Sequence, residues 1–306
     1  MKQCDVLVIG AGPAGVTAAM YAARKELTTM LVSPDVGGQI LLTGEIENYP
    51  GFASVMSFDL VDRMEEQVRR YPVIFETATV EILSESDGGF SAVLDDGQEI
   101  RARAVIVTAG RRPRMLGIPG EAELTGRGIS YCATCDGPLY RGKSVVVVGG
   151  GDSAVQAATE LSDLCTKVVL LVRNRLTAQE ILQNRMRRRG NIEIFSGVSP
   201  IRFSGNGHLS SVLVSFAETG ETREFAADGC FIEIGGLPNN GFLPQILLQN
   251  AAGEIVTDRC GATNVPGLFA AGDVTDNPYK QIVIAAGEGA TAALSAHAYL
   301  LRQPCV

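Results

Sequence analysis

The chain has 306 residues, of which 35 are glycine and 46% are hydrophobic, and these values suit two α/β domains that each bury a core. Its net charge of −8 argues against a nucleic-acid partner. The apolar runs are no longer than strands, and the first residues lead directly into one without a signal peptide. The sequence therefore predicts a cytoplasmic protein with no membrane partner.

The first predicted elements form a βαβ unit with a dinucleotide-binding loop. A buried strand over Asp5–Ile9 precedes the loop Gly10-Ala11-Gly12-Pro13-Ala14-Gly15, and a helix over Val16–Arg24 and a strand over Thr29–Val32 follow it. Asp35 lies twenty residues after Gly15, about where a carboxylate meets a ribose hydroxyl. A glycine loop in this context predicts a nucleotide site, with the pyrophosphate at the helix N-terminus.

Period-2 alternation follows the first unit. It predicts strands over Val73–Leu83, Phe90–Leu94 and Glu99–Ala102, with a turn at Asp95–Gly97. A further strand, Ala104–Gly110, ends at Gly110. These elements predict a small antiparallel insertion in the first nucleotide-binding fold.

A second βαβ unit begins near residue 144, so the chain carries an internal duplication. Its predicted elements are the strand Val145–Val148, the loop Gly149-Gly150-Gly151-Asp152-Ser153-Ala154, the helix Val155–Leu164 and the strand Lys167–Val172. Another antiparallel insertion is predicted over Ile192–Ile194, Leu209–Phe216 and Thr222–Ala226, followed by a strand over Gly229–Gly235. A strand-to-loop segment, Gly267–Asp273, and a helix over Gln281–Leu301 end the chain. The predicted fold class is α/β, with two Rossmann-like nucleotide-binding domains that each have three layers in a ββα arrangement.

Two of the seven cysteines form the motif Cys132-Ala133-Thr134-Cys135-Asp136, which lies just before the second glycine loop. An odd number of cysteines without secretion argues against a structural disulfide framework. Zinc usually takes four ligands, and His208 and His297 are isolated, so no metal site is predicted. A dithiol between two nucleotide loops predicts an electron relay, whereas the other five cysteines are interpreted as core or incidental thiols.

With these motifs, the whole chain resembles the low-molecular-weight thioredoxin reductases. Six segments carry the resemblance: Gly37–Ile40, Glu47–Gly51, Tyr131–Gly137, Ile234–Asn239, Gly267–Asp273 and Tyr279–Ile282. The run Pro278–Ser295 is also similar to the flavoprotein component of alkyl hydroperoxide reductase.

The resemblance implies a discontinuous FAD domain, residues 1–112 and 241–306, with an inserted pyridine-nucleotide domain, residues 113–240. It implies a homodimer that passes electrons from NADPH or NADH through FAD and the dithiol to thioredoxin or a thioredoxin-like protein. Cys135 would face the flavin, Cys132 would exchange with the protein substrate, and Asp136 would exchange protons with the thiolate. The residues implied at the FAD are Gly10, Gly12, Pro13, Ala14, Gly15, Asp35, Gly38, Gln39, Asn48, Gly110, Gly272, Asp273, Lys280, Gln281 and Ile282.

The pyridine-nucleotide site departs from the family pattern in its specificity loop. Gly149, Gly151, Asp152, Ser153 and Ala154 keep the glycine scaffold, but His-Arg-Arg-x-x-x-Arg of NADPH-dependent members is replaced by the segment 172–178. Only Arg173 matches, Arg175 is an additional cation, and Val172 provides no acid for an NADH ribose. The preference between NADPH and NADH is therefore open. Three alternatives are also open. The electron donor could be ferredoxin, the reaction partner could be a peroxiredoxin system or a small dithiol metabolite, and the protein could be a non-catalytic flavin-binding redox sensor.

Overall fold

The computed structural model describes residues 2–42, 45–46 and 48–302, without the side chains of Leu42, Glu45 and Cys135. The predicted residues Glu47 and Cys305 lie outside this part. The chain forms two compact units: one contains most of the chain up to Arg112 and from Leu237 onwards, and the other contains mainly Pro113–Gly236. The chain thus passes into the second unit at Arg112–Pro113 and out of it at Gly236–Leu237.

The first unit contains one large sheet. Its elements, with two short strands outside that sheet, are β1 (Lys2–Ala11), α1 (Pro13–Ala23), β2 (Thr29–Val36), β3 (Glu45–Ile46), β4 (Val55–Met56), α2 (Ser57–Arg69), β5 (Val73–Glu76), β6 (Val80–Ser86), β7 (Gly89–Leu94) and β8 (Glu99–Val107). The strand order is β5-β2-β1-β8-β7-β6, and a strand from the end of the chain, Leu268–Ala270, also pairs with β8. The strands β5, β2, β1 and β8 run parallel to one another, whereas β8, β7 and β6 form an antiparallel meander.

The second unit begins at the last residue of β9 (Arg111–Pro113). It contains α3 (Glu121–Leu124), β10 (Ile129–Ser130), α4 (Ala133–Asp136), β11 (Ser144–Val148), α5 (Asp152–Leu164), β12 (Lys167–Val172), α6 (Glu180–Arg187), β13 (Ile192–Ser196), β14 (Val198–Gly205), β15 (Leu209–Phe216), β16 (Thr222–Ala226) and β17 (Gly229–Ile232). The central sheet has the order β10-β17-β11-β12-β13 and is parallel throughout. A separate antiparallel sheet consists of β14, β15 and β16. The remaining elements are β18 (Gly236–Pro238), β19 (Leu268–Ala270) and α7 (Ile282–Leu300).

Each unit buries apolar side chains on both faces of its parallel sheet. Along β1, Val6 and Val8 pack toward α1 and α7, while Leu7 and Ile9 pack toward the antiparallel meander. Along β11, alternate valines likewise pack toward α5 on one face and toward β14–β16 on the other. Because both faces are covered, these strands are continuously apolar, as expected for a parallel sheet. The predicted α/β class with Rossmann-like domains is confirmed.

Two predictions of strand pairing differ from the structure, and the predicted strands Glu99–Ala102 and Ala104–Gly110 are a single strand, β8. The segment Val73–Leu83 is interrupted at residues 77–79, so β5 adds to the parallel sheet and only β6 belongs to the meander. Ile192–Ile194 also belongs to the parallel sheet, where β13 pairs with β12. Alternation identifies strands but does not reveal which neighbour they pair with. No helix in the described part of the chain has the length and apolarity needed to span a bilayer.

Candidate active site

The first glycine loop turns from β1 into α1 through three glycines with different surroundings. Gly10 has a φ of +103°, which favours glycine. A Cβ at Gly15 would lie 1.7 Å from the Gly10 carbonyl oxygen, so only glycine lets the helix approach the strand this closely. A Cβ at Gly12 would have its nearest neighbour 4.0 Å away, at the Gly37 oxygen. The open space at Gly12 fits a pyrophosphate at the helix N-terminus.

Several residues predicted at the flavin are joined in pairs by hydrogen bonds. Gln39 Nε2 donates to Asp273 Oδ2 at 3.4 Å, and Asn48 Nδ2 donates to Gln281 Oε1 at 3.0 Å. Burial raises the pKa of Asp273, although the positive charges of Lys280 and Arg111 oppose this. The structure thus links residues that are more than two hundred positions apart in the chain.

Lys280 is part of an ion cluster within the first unit. Its Nζ donates to the Thr275 oxygen at 2.5 Å and lies 3.3 Å from Glu254 Oε1, which Arg111 Nη1 also contacts at 2.9 Å. Burial would raise the pKa of Glu254, but the hydrogen bond from Asn250 and these two cations hold it below the usual value. Lys280 is therefore paired with a carboxylate that it shares with Arg111.

The other predicted flavin residues have simpler surroundings. Asp35 is exposed near the end of β2, Gly38 begins a 3₁₀ turn, and Ile282 is the first residue of α7. Gly110 has a φ of +64°. Ala14 lies at the helix crossing, where Cβ atoms added at Gly272 and Gly289 would meet its Cβ at 2.9 Å and its oxygen at 2.1 Å.

Glu288 was not predicted, although it fixes the segment that carries Asp273. Its Oε2 accepts a hydrogen bond from the Gly272 N–H at 2.7 Å, and its Oε1 accepts one from Asn277 Nδ2. The signal in the sequence is a single acid in an otherwise alanine- and glycine-rich helix.

The second glycine loop repeats this design with one change. Gly149 has a φ of +149°, and a Cβ there would lie 2.2 Å from the Glu233 oxygen. A Cβ at Gly151 would meet nothing within 4 Å, so this position has the open space that a nucleotide pyrophosphate needs. Ala154 takes the third position and is fully buried.

The specificity loop folds back onto this glycine loop. The N–H groups of Thr177 and Ala178 donate to the Gly150 oxygen at 2.7 and 3.1 Å. Asp152 accepts hydrogen bonds from Gln179 through both carboxylate oxygens, at 2.7 Å from its N–H and 2.9 Å from its Nε2. The side chain of Asp152 therefore fixes the loop.

The two cations of the specificity loop are accessible. Arg173 and Arg175 are exposed, and so is Ser153 at the start of α5, whereas Ala178 is buried. An arginine at position 178, as in the NADPH-dependent pattern, would have to displace part of this packing.

Cys132 lies at the carboxyl edge of the second unit's parallel sheet, two residues after the end of β10. It is disulfide-bonded, while Cys4, Cys165, Cys230 and Cys260 are free thiols. The side chain of Cys135 lies outside the described part of the structure.

Hydrogen bonds from both backbone and side chains hold the dithiol segment in place. The Cys132 N–H donates to Ser130 Oγ at 3.0 Å, and the Asp136 N–H donates to the Cys132 oxygen at 3.2 Å. Thr134 Oγ1 donates to Glu160 Oε2 at 3.1 Å. The sheet order β10-β17-β11 leaves one strand between this segment and the second glycine loop.

Glu233 lies at the end of that intervening strand and was also not predicted. Its Oε1 accepts a hydrogen bond from the Ala133 N–H, inside the dithiol motif, at 3.3 Å. Burial raises the pKa of Glu233 to about 7, with Glu160 adding to the rise and the Ala133 N–H opposing it. Its signal in the sequence is an acid between the apolar residues Ile232 and Ile234.

Comparisons with known proteins agree with this architecture. The profile of the pyridine nucleotide-disulphide oxidoreductase family matches residues 4–289. The thioredoxin reductase of Lactococcus lactis has a TM-score of 0.81 and 38% identity over 98% of this chain and 100% of its own. The atypical thioredoxin reductase TRi of Desulfovibrio vulgaris Hildenborough has a TM-score of 0.55 and 31% identity over 99% of each chain.

Two longer curated proteins are also similar. The F component of alkyl hydroperoxide reductase in Pseudomonas putida is 41% identical over 97% of this chain and 58% of its own length. A Bacillus subtilis protein named NADH dehydrogenase is 39% identical over 97% of this chain and 59% of its own length. The chain therefore spans less than two thirds of these relatives. By its family profile, its relatives and its fold, the chain belongs to the pyridine nucleotide-disulphide oxidoreductase family, which implies FAD and NAD(P)H as cofactors.

Proposed function

We propose that this protein passes electrons from a pyridine nucleotide through FAD and a Cys132–Cys135 disulfide to a thioredoxin-type protein disulfide. The observation that carries the proposal is the disulfide-bonded Cys132, which lies on the same sheet edge as the second glycine loop and one strand away from it. The spacing of two residues supports Cys135 as its partner. The solved thioredoxin reductases of similar fold support the acceptor.

In this proposal the first unit holds FAD and the second holds the nucleotide. Gly12 and Gly151 leave room for the two pyrophosphates, and Gln39, Asp273, Asn48 and Gln281 hold the flavin-facing segments together. FAD supplies two-electron transfer between the nucleotide and the thiols. Asp136, the residue after Cys135, exchanges protons with the thiol that reacts with the acceptor. We further propose a cytoplasmic homodimer, as the resemblance implies.

A second candidate is the supply of electrons to a peroxide-reducing partner. The similarity to a component of alkyl hydroperoxide reductase favours this candidate. The two candidates share the flavin and dithiol and differ only in the protein that accepts the electrons.

An anaerobic titration of the purified protein tests the proposal. We expect about one FAD per chain, bleaching of the flavin by NADPH or NADH, and recovery of its colour with oxidised thioredoxin. Recovery only with a peroxide-reducing partner protein would select the second candidate. A flavin that neither nucleotide bleaches would indicate another donor, such as ferredoxin, or a redox sensor.

Variants of the dithiol motif test the thiol path. Cys132→Ser and Cys135→Ser should each abolish disulfide reduction and leave FAD bound. Asp136→Asn should slow turnover by about 10²–10⁴-fold, because it removes a positioned acid with little change in volume. Full thioredoxin reduction by either serine variant would contradict the proposal.

A further inference from the structure

Glu233 occupies, in the second unit, the position that Thr108 occupies in the first. The N–H of Thr108 donates to the Ile9 oxygen at 2.8 Å, and the N–H of Glu233 donates to the Val148 oxygen at the same distance. Each residue therefore follows the strand beside the one that carries a glycine loop. The two residues are structural equivalents in the duplication.

The two side chains take different directions from this shared backbone position. Thr108 is buried, and its Oγ1 donates to the Ile9 and Gly10 oxygens at 2.9 and 2.8 Å, so its side chain contacts the first glycine loop. The carboxylate of Glu233 instead accepts the hydrogen bond from the Ala133 N–H. The nitrogen of Ala133 belongs to the peptide bond that follows Cys132, so the carboxylate lies beside the backbone of the dithiol.

The surroundings of Glu233 favour its neutral form. Its own strand β17 is buried and apolar, and the charged side chain that acts on it from α5 is Glu160, another acid. Asp136 adds a further carboxyl group at the far end of α4. Glu160 is exposed, whereas Glu233 is partly buried, so solvent screens the charge of Glu160 more strongly.

The Glu233 carboxylate contacts the peptide N–H next to Cys132, so its charge acts on the ionisation of the Cys132 thiol. A nearby negative charge disfavours a thiolate. The Ala133 N–H already donates to Glu233, so it does not donate a hydrogen bond that would stabilise a thiolate. We propose that Glu233 is a positioning residue whose charge sets the ionisation of the Cys132 thiol in the reduced protein. The thiolate is favoured while Glu233 is neutral and suppressed once Glu233 is charged. This inference rests on the proposed dithiol function and adds a residue that regulates it.

The thiolate of Cys132 can be measured without nucleotide donor or protein acceptor. The intact flavoprotein is reduced with dithiothreitol, freed of reductant and alkylated with iodoacetamide between about pH 5.5 and about pH 8. Mass spectrometry gives the rate for Cys132, and the exposed thiol of Cys260 in the same molecule is the internal reference. The wild type is compared with Glu233→Gln, which keeps the acceptor for Ala133, and with the matched control Glu160→Gln.

We expect the rate of Glu233→Gln relative to wild type to rise with pH. The ratio should be near one at about pH 5.5, where both side chains are neutral, and reach about tenfold at about pH 8. Glu160→Gln should show a ratio near one throughout. Glu233→Asp keeps the charge, so it should retain the wild-type pH profile and provides a second variant.

The alternative outcomes separate the inference from the proposed function. A ratio that is constant with pH, or the same rise in Glu160→Gln, would overturn the role of Glu233 and leave the dithiol in place. A wild-type protein from which dithiothreitol releases no reactive Cys132 thiol would overturn the proposed function itself.

Discussion

The two glycine loops of this chain both turn from a strand into a helix, but they differ in which positions have room for a side chain. In each, the first glycine approaches the carbonyl of the neighbouring strand end, since added Cβ atoms at Gly10 and Gly149 would lie 2.5 Å from the Thr108 oxygen and 2.2 Å from the Glu233 oxygen. In each, the second glycine leaves open space. The third position differs, because Gly15 has no room for a side chain whereas Ala154 carries a buried methyl group.

The difference shows which parts of a repeated unit are fixed by packing. Around the first loop, α7 crosses α1 so closely that a Cβ at Gly289 would lie 2.1 Å from the Ala14 oxygen. The second loop is closed instead by the specificity loop, through hydrogen bonds to the Gly150 oxygen. The first loop therefore needs glycine for folding at Gly10 and Gly15, whereas the second needs it for folding at Gly149 and accepts alanine at position 154.

The largest effect is expected from Gly15→Ala. The new methyl group would overlap the Gly10 oxygen, so we expect a loss of about 3 kcal/mol in the free energy of unfolding, together with loss of flavin. Thermal unfolding and flavin content measure both. Gly12→Ala, in open space, is the control and should weaken FAD binding without destabilising the apoprotein. Normal flavin content and stability in Gly15→Ala would contradict the comparison.

Gly151→Ala tests the second loop. The methyl group meets no protein atom within 4 Å but enters the space proposed for the pyrophosphate. We expect a loss of about 2 kcal/mol in nucleotide binding, roughly 30-fold in affinity, with stability and FAD content unchanged. Titration of flavin reduction against nucleotide concentration gives the affinity. Unchanged reduction at low nucleotide concentration would show that the donor binds elsewhere.

Glu233 gives the third test, through the pH dependence of the free energy of unfolding. Burial raises the pKa of Glu233 from 4.5 to about 7, so the folded state holds its proton more tightly than the unfolded state. Its contribution to stability is therefore fully present below pH 4.5 and is lost as the pH rises to about 7. The full pKa rise corresponds to about 3 kcal/mol, and the partial exposure of Glu233 reduces it. Glu233→Gln should therefore gain about 2 kcal/mol over wild type across that range. Chemical unfolding of the oxidised protein at several pH values measures the gain, and a difference independent of pH would contradict it.

The smallest effect is expected in the specificity loop. Asn174 is exposed beside Arg173, so Asn174→Arg can add a guanidinium without disturbing the core. One charge-assisted contact should raise kcat/KM for NADPH relative to NADH by about tenfold. Asn174→Gln is the neutral control. An equal gain for both nucleotides would indicate a general effect of positive charge and no contact with the 2′-phosphate.

Local patterns in the sequence were sufficient to predict the fold class and both glycine loops. The strand, the glycine spacing and the helix lie within about thirty residues of one another, and the physical requirement for each glycine is local. The dithiol motif is equally local. Alternation also identified most strands, but it assigned Val73–Leu83 and Ile192–Ile194 to antiparallel insertions, because period alone does not specify a partner strand.

The tertiary structure alone decided which distant side chains meet. The contact of Glu233 with the Ala133 N–H depends on β17 lying between β10 and β11, and the contacts of Gln39 with Asp273 and of Asn48 with Gln281 depend on how the last segment returns to the first sheet. Partly buried acids such as these are recognisable in sequence only as charges in apolar surroundings. Their partners come from other strand ends and loops, because the order of strands in a sheet results from packing of the whole chain and is not encoded in any short segment.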